Sequence, residues 1–363
     1  MNRTLLAYLA REIYGATFTV LLAFLGLFAF FDFVNELDDI GKSGYQVYQA
    51  LAYVVLIMPS RMYELLPVAV LIGTLYALTT LARHSEITVM RASGLSTGRM
   101  LAMLCLVGVL PVAVIYIFGE YIAPPSERAA QQWRLTSTNS AISQQLHSGL
   151  WIKDGSRVIN VRTLQPDRSM EAIRIFAFNE SGVLQSIAEA AQGIYVPAGG
   201  EGKGHWHLTD VIRTDFFDDH AAMASPDEMD WESALTPEVL SVLMVQPERM
   251  SVSALMAYIS HLRGNKQDTN RYEIALWKKL VAPFAALVMM ILALPFAMTH
   301  ERSGGASMKL FLGVMLGVAF YLLNGMASSL GMINSWPPPI AAMMPGLLFF
   351  AAAMALLYMV ERR

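Results

Sequence analysis

Residues 100–122 read MLAMLCLVGVLPVAVIYIFGEYI, 23 residues that carry one charge, Glu120. A helix needs about 20 mostly apolar residues to cross a hydrocarbon core about 30 Å thick. This run is therefore a membrane span. Working outward, runs at 13–34 and 62–82 precede it, and runs at 274–298, 310–332 and 340–360 follow it. The composition agrees: 15% of the chain is charged and 55% is hydrophobic, where a soluble domain carries about 25% charge. Residues 13–34 do not form a secretory signal. Their core is too long, and an acidic stretch follows where a small-residue cleavage site would stand.

Orientation follows from the basic residues of the short loops. With the N-terminus cytoplasmic, the inner segments hold Arg3, Arg11, Arg83, Arg91, Arg99, Arg302, Lys309, Arg362 and Arg363, and the short outer loops hold only Lys42. Both termini are therefore expected inside. Residues 124–271 then lie outside, between the third and fourth spans. The expected organisation is 1–123 for three spans, 124–271 for an outer domain and 272–363 for three more.

The outer segment reads as strands. Lys153-Asp154-Gly155-Ser156 separates 150–152 from 157–161, and Asp-Gly between apolar runs is a strong hairpin signal. Further short runs at 173–177, 183–187, 193–196 and 211–217 are separated by turn residues. The pattern predicts a sandwich or jelly roll. Arg174-Ile175-Phe176-Ala177-Phe178 is apolar on both faces, which fits either a doubly buried strand or a sandwich whose interior is a groove for acyl chains. Residues 253–263 have helical spacing and return the chain to the membrane.

Net charge is −3, so no nucleic-acid partner is implied. The single cysteine, Cys105, lies in an apolar run and reads as a small core residue. Gly41-Lys42-Ser43 ends like a phosphate-binding loop, but Glu36 stands where the motif needs its first glycine. No catalytic residue and no cofactor are expected on this chain, so transport work would need a partner ATPase. His205-Trp206-His207 puts two rings on one side of a strand, whereas zinc takes three or four ligands; no metal site is expected.

The segment Arg83-His84-Ser85-Glu86-Ile87-Thr88-Val89-Met90-Arg91-Ala92-Ser93-Gly94 predicts a two-turn helix on the inner surface. Ser85 is placed to cap it, Glu86 suits its positive end, and Gly94 suits its stop. Ile87 and Met90 would be exposed apolar residues. The helix is either an interfacial connector or a coupling helix that docks on an ATPase through Glu86, Ile87, Met90 and Arg91. Gly313 and Gly317 have the small-xxx-small spacing that lets helices approach closely, and Asn324 continues that helix as a buried polar group. Arg61 and Glu64 are spaced to pair. Lys278 and Lys279 lie at the outer end of the fourth span, to snorkel to headgroups or to meet phosphates of an anionic lipid.

These strings resemble the LptF/LptG permease family of the lipopolysaccharide exporter. The likeness is carried by residues 85–94, by Gly149-Leu150-Trp151-Ile152-Lys153-Asp154-Gly155, by Phe176-Ala177-Phe178-Asn179-Glu180 and by Pro338-Pro339-Ile340. It covers nearly the whole chain, and the LptG branch is the nearer one. The resemblance implies an α-helical polytopic membrane protein of six transmembrane helices in a 3 + 3 order with an inserted periplasmic β-jelly-roll domain. It implies a permease subunit in a bacterial inner membrane, with a sister permease LptF, an LptB ATPase dimer that carries the ATP and Mg, LptC, and lipopolysaccharide as cargo. The first and fifth spans would form lateral gates. Glu86 matches the family's coupling-helix acid, and Arg134 a basic residue that meets the lipid head; Arg61, Lys278 and Lys279 are further candidates for lipid contact.

One departure stands out. Where the family often places lysines, residues 32–39 read DFVNELDD. Acids repel phosphate, so that contact does not carry over. Either Mg²⁺ or Ca²⁺ bridges the acids to phosphate, or the lipid carries cationic groups. The competing functions are a permease for another lipid or a lipoprotein, and a membrane scaffold or sensor with a periplasmic β-domain.

Overall fold

A computed structural model describes residues 3–41, 44–137, 149–165, 169–179, 181–197, 204–217, 219–233, 246–298 and 306–362. Lys42, Arg302 and Arg363, used above for orientation, lie outside them. The chain begins with α1 (Arg3–Leu37) and α2 (Val47–Arg83), followed by a short α3 (Glu86–Ala92). Helix α4 (Thr97–Ile117) passes through a π-helical turn (Phe118–Ile122) into α5 (Ala123–Ser137) without leaving helical geometry. After the strands, a 3₁₀ turn (Pro247–Arg249) and α6 (Val252–Gly264) lead to α7 (Asn270–Met298), α8 (Ala306–Ile333) and α9 (Pro338–Glu361). Among the described residues, six helices are long and apolar enough to cross a membrane.

The spans differ sharply in how much of their apolar window the protein itself covers. For α2 the figure is 72% and for α7 61%, but for α1 it is 11% and for α8 17%. Helices α2 and α7 are thus the centre of the bundle, while α1 and α8 flank it with most of their surface uncovered. Small residues set the spacing. A Cβ on Gly73 of α2 would lie 2.5 Å from the Thr17 backbone of α1. A Cβ on Gly313 or Gly317 would lie 2.7 or 2.5 Å from Leu75 or Val68. The glycine pair of α8 therefore packs on α2.

Helix α2 starts 15 residues before the 62–82 run, at Val47. Pro59, Ser60 and Arg61 break the apolar run, yet the helix continues through them. In the turn before Pro59 the Leu56 carbonyl accepts a hydrogen bond from Ser126 Oγ of α5, the kind of side-chain repair that lets spanning helices tolerate proline. The third span likewise runs past residue 124, because α5 carries it onward to Ser137.

The inserted β domain has β1 (Leu150–Asp154), β2 (Arg157–Leu164), β3 (Met170–Phe178), β4 (Leu184–Val196), β5 (His205–Phe216), β6 (Ala221–Ala224) and β7 (Glu228–Glu232). They form one antiparallel sheet in the order β1 to β6, with β7 also pairing β5. The hairpin expected at Asp154-Gly155 is present, with Asp154 opposite Arg157 and Gly155 at φ 61°. Its Gly155 N–H donates to Asn265 Oδ1 at 2.9 Å and so meets the end of α6. His205 and His207 face β7, where His207 Nδ1 lies 2.9 Å from Asp230 Oδ1. That hydrogen bond, ahead of all other influences, holds the His207 pKa above its ordinary value.

The buried set of the three central strands slips by one residue at a shared line. It runs Met170 then Ile173 and Ile175 in β3, Ala188 and Ala190 then Gly193 in β4, and Trp206 and Leu208 then Val211 in β5. Ala172 and Asp210, at the break, have φ of 50° and 53°. Left-handed backbone at aligned positions bends a sheet as a bulge does. The buried residues of the domain core, Trp206 and Trp231 among them, all come from the strands themselves. Among the described residues, one face of the sheet gathers these buried side chains into a single cluster.

Adding a methyl at Gly73 forces α1 off α2. Gly73→Ala should lower stability by about 1–3 kcal/mol, whereas Gly26→Ala, with nothing within 4 Å, should be neutral or stabilising by up to ~1 kcal/mol. Thermal melts of the purified variants in one detergent check the contrast.

Candidate functional site

Three of the four acids of 32–39 are paired within the chain, and Asp38 is exposed. Arg61 of α2 holds Asp32 with two parallel hydrogen bonds, Nε to Oδ2 at 2.9 Å and Nη2 to Oδ1 at 2.7 Å. It also reaches Glu64 at 3.2 Å, the pairing expected from spacing. Arg134 of α5 meets Glu36 at 3.1 Å and Asp39 at 2.8 Å. Tyr45 donates to Glu36 at 3.2 Å; burial first, and then the Glu36 charge, raises the phenol's pKa well above its usual value. A divalent bridge or a cationic lipid is thus not needed to neutralise Asp32, Glu36 and Asp39, which have arginine partners within the chain. Asp32, Glu36 and Asp39 neutralise the chain's own arginines and fasten the end of α1 to α2 and α5.

Lys279 does not snorkel. It is 8% exposed, donates to the Met250 carbonyl and lies 5.6 Å from the Tyr63 ring centre. It ties α7 to the segment returning from the β domain. The same junction is fixed at two more points. Glu120, in the π turn, accepts from Val252 N at 2.7 Å at the start of α6. Arg249 meets Glu127 at 2.6 Å, with the Glu127 side chain only 1% exposed. The segment that returns from the β domain, Arg249 to Val252, is therefore fastened to the π turn, α5 and α7. Glu120, Glu127 and Arg249 were not singled out from sequence, since partners more than a hundred residues apart leave no local pattern.

Beside this junction lies a cavity of about 670 Å³ between α2, α7, α8 and α9. Lys278, Glu64 and Glu248 border it at the β-domain end, Asn324 lies on its wall, and Val68, Phe284, Phe320 and Phe350 give it apolar sides. Its volume falls in the range of ligand sites, about 300–1,000 Å³. A charged end above aromatic and aliphatic walls suits an amphiphile: chains against the rings, head towards the charges. The structure brings Lys278, Lys279 and Asn324 to this cavity, and leaves Arg61 and Arg134 in the ion-pair clusters that hold α1.

On the opposite side, α3 has the predicted two turns and ends at Gly94 with φ 95°. Two expectations change. Ser85 is itself left-handed at φ 58° and makes no side-chain cap. Ile87 is buried at 5% against α1, α2 and α4, because the short helix must cover the open ends of those spans. Met90 is half-buried, Arg91 is exposed, and Val89 is the apolar residue turned outward at 66% exposure. Glu86 is half-buried and accepts from Tyr8 Oη at 3.0 Å.

Residues 7–359 match the family described as lipopolysaccharide export system permease LptF/LptG. The chain belongs to this family. It is 31% identical over 350 residues to the permease protein LptG of Haemophilus influenzae, covering 96% of each chain. It is 30% identical to LptG of Escherichia coli K12 over 352 residues, again with 96% of each covered. LptF of the same organism shares 22% identity over 365 residues, covering 97% of this chain and 94% of that one. Within the family the chain is LptG-like.

The Glu127 pair gives a sharp test. Arg249→Ala should cost about 3–5 kcal/mol, because a buried carboxylate is left alone. Arg249→Met combined with Glu127→Leu should recover most of that loss. Thermal or denaturant unfolding of the two variants measures the difference.

Proposed function

We propose that this chain is the LptG-like permease subunit of an ABC-type exporter that draws lipopolysaccharide out of a bacterial inner membrane and hands it to β-domains in the periplasm. Membership in the lipopolysaccharide export permease family supports this most directly. The amphiphilic cavity carries the structural side of the argument, since it joins a charged end to an apolar interior within the bundle. Both termini would be cytoplasmic, as the basic residues of the inner loops require, and the β domain would be periplasmic.

The chain would bind and shape, and would do no covalent chemistry. ATP and Mg would belong to an LptB ATPase dimer, on which α3 would dock with Glu86, Met90, Arg91 and Val89 facing it. The sister permease LptF would cover the bare faces of α1 and α8, and LptC would receive lipid from the β domains. Lys278 would meet the anionic head of the lipid. Arg61 and Arg134 would act on it less directly, being spent on Asp32, Glu36 and Asp39. Closing of the ATPases would move α3, narrow the cavity and push lipid upward into the β domain.

The test is co-expression with the candidate sister permease and ATPase, then ATPase assay in nanodiscs. A stable complex whose ATP hydrolysis responds to lipopolysaccharide is expected. Glu86→Ala should weaken the ATPase contact by about thirtyfold or more, the scale for truncating one member of a buried charged contact. A complex that responds only to another lipid or to a lipoprotein would change the cargo. A chain that purifies alone, without ATPase or lipid, would make it a scaffold or sensor.

A further inference from the structure

Two contacts join α3 to the first span. Tyr8, in the second turn of α1, donates its hydroxyl to Glu86 Oε2 at 3.0 Å. The neighbouring Ile87 sits in one buried cluster with Leu9 and Ile13 of α1, Leu81 of α2, and Met100 and Leu104 of α4. Among the described residues no other partner holds the Glu86 carboxylate. One oxygen is held from within the chain, and Oε1 is left for a contact from outside.

A push on α3 therefore has two ways into the bundle. One runs through the backbone at His84 and Ser85 into α2. That helix is the most enclosed span, at 72%, and resists displacement. The other runs through Tyr8 into α1, which is the least enclosed at 11%. Helix α1 is the element able to follow.

We propose that Tyr8 is a positioning residue that makes α1 move with α3, by holding the carboxylate through which α3 meets its ATPase. This rests on the reading of α3 as the ATPase-facing helix. Tyr14 supplies an internal comparison. Its hydroxyl donates to the Val107 carbonyl at 2.7 Å and ties α1 to α4, not to α3.

The experiment uses the full complex with sister permease and ATPase, reconstituted in vesicles with fluorescent lipopolysaccharide. It reads lipid delivered per ATP hydrolysed. In the Tyr8→Phe complex ATP hydrolysis continues while this ratio falls about tenfold or more, the scale of one hydrogen bond to a charged acceptor. In Tyr14→Phe the ratio stays at the wild-type value. An unchanged ratio in Tyr8→Phe overturns the proposal. So does an equal fall in Tyr14→Phe, which would make the effect general packing, or a Tyr8→Phe chain that no longer assembles, which would make the bond structural. A wild-type complex that neither assembles nor moves lipid refutes the functional reading instead, and is distinguished by that first control.

Discussion

Charge burial at the edge of an apolar bundle governs how this protein is held together. Arg61 grips Asp32 with both nitrogens of its fork, Arg134 grips Glu36 and Asp39, and Arg249 grips Glu127. The pairs join α1 to α2, α1 to α5, and α5 to the returning 3₁₀ turn. An ion left unpaired at such sites costs several kcal/mol, so the pairs fix where the helices end and where the β domain is anchored. They stand at one end of the spans, and small-residue contacts such as Gly73 on Thr17 hold the rest.

That arrangement divides the membrane part into a fixed centre and loose flanks. Helices α2 and α7 are enclosed, and the cavity opens along them. Helices α1 and α8 keep bare apolar faces, with Phe18 and Phe30 each 61% exposed on α1 and Phe311 58% exposed on α8. Lipid or a second subunit must cover those faces. The two ends of α1 are held differently: arginine pairs fasten one end, and a tyrosine hydrogen bond with the apolar packing around Ile87 links the other to α3.

Much of the fold is legible in the sequence, because lipid imposes long apolar runs and turn chemistry imposes the hairpin at Asp154-Gly155. The start of α2 is hidden by Pro59 and Arg61, whose meaning depends on Ser126 and Asp32 arriving from elsewhere in the chain. The bend of the sheet is hidden as well. Ala172 and Asp210 give no glycine signal for their left-handed backbone, so strict alternation misassigns the inward faces beyond them. The site is legible by residue type more than by role. Lys279 and Arg134 read as lipid contacts, but they bond the Met250 carbonyl and Glu36. Those partners lie 29 and 98 residues away.

The central claim is that an amphiphilic lipid occupies the cavity between α2, α7, α8 and α9. A photo-crosslinking amino acid at position 343, on the cavity wall, tests it in living cells, with position 110 on the outer face of α4, 52% exposed, as control. Crosslinks to lipopolysaccharide at 343 and not at 110 are the predicted result. Equal labelling at both positions, or only bulk phospholipid at 343, would contradict the account.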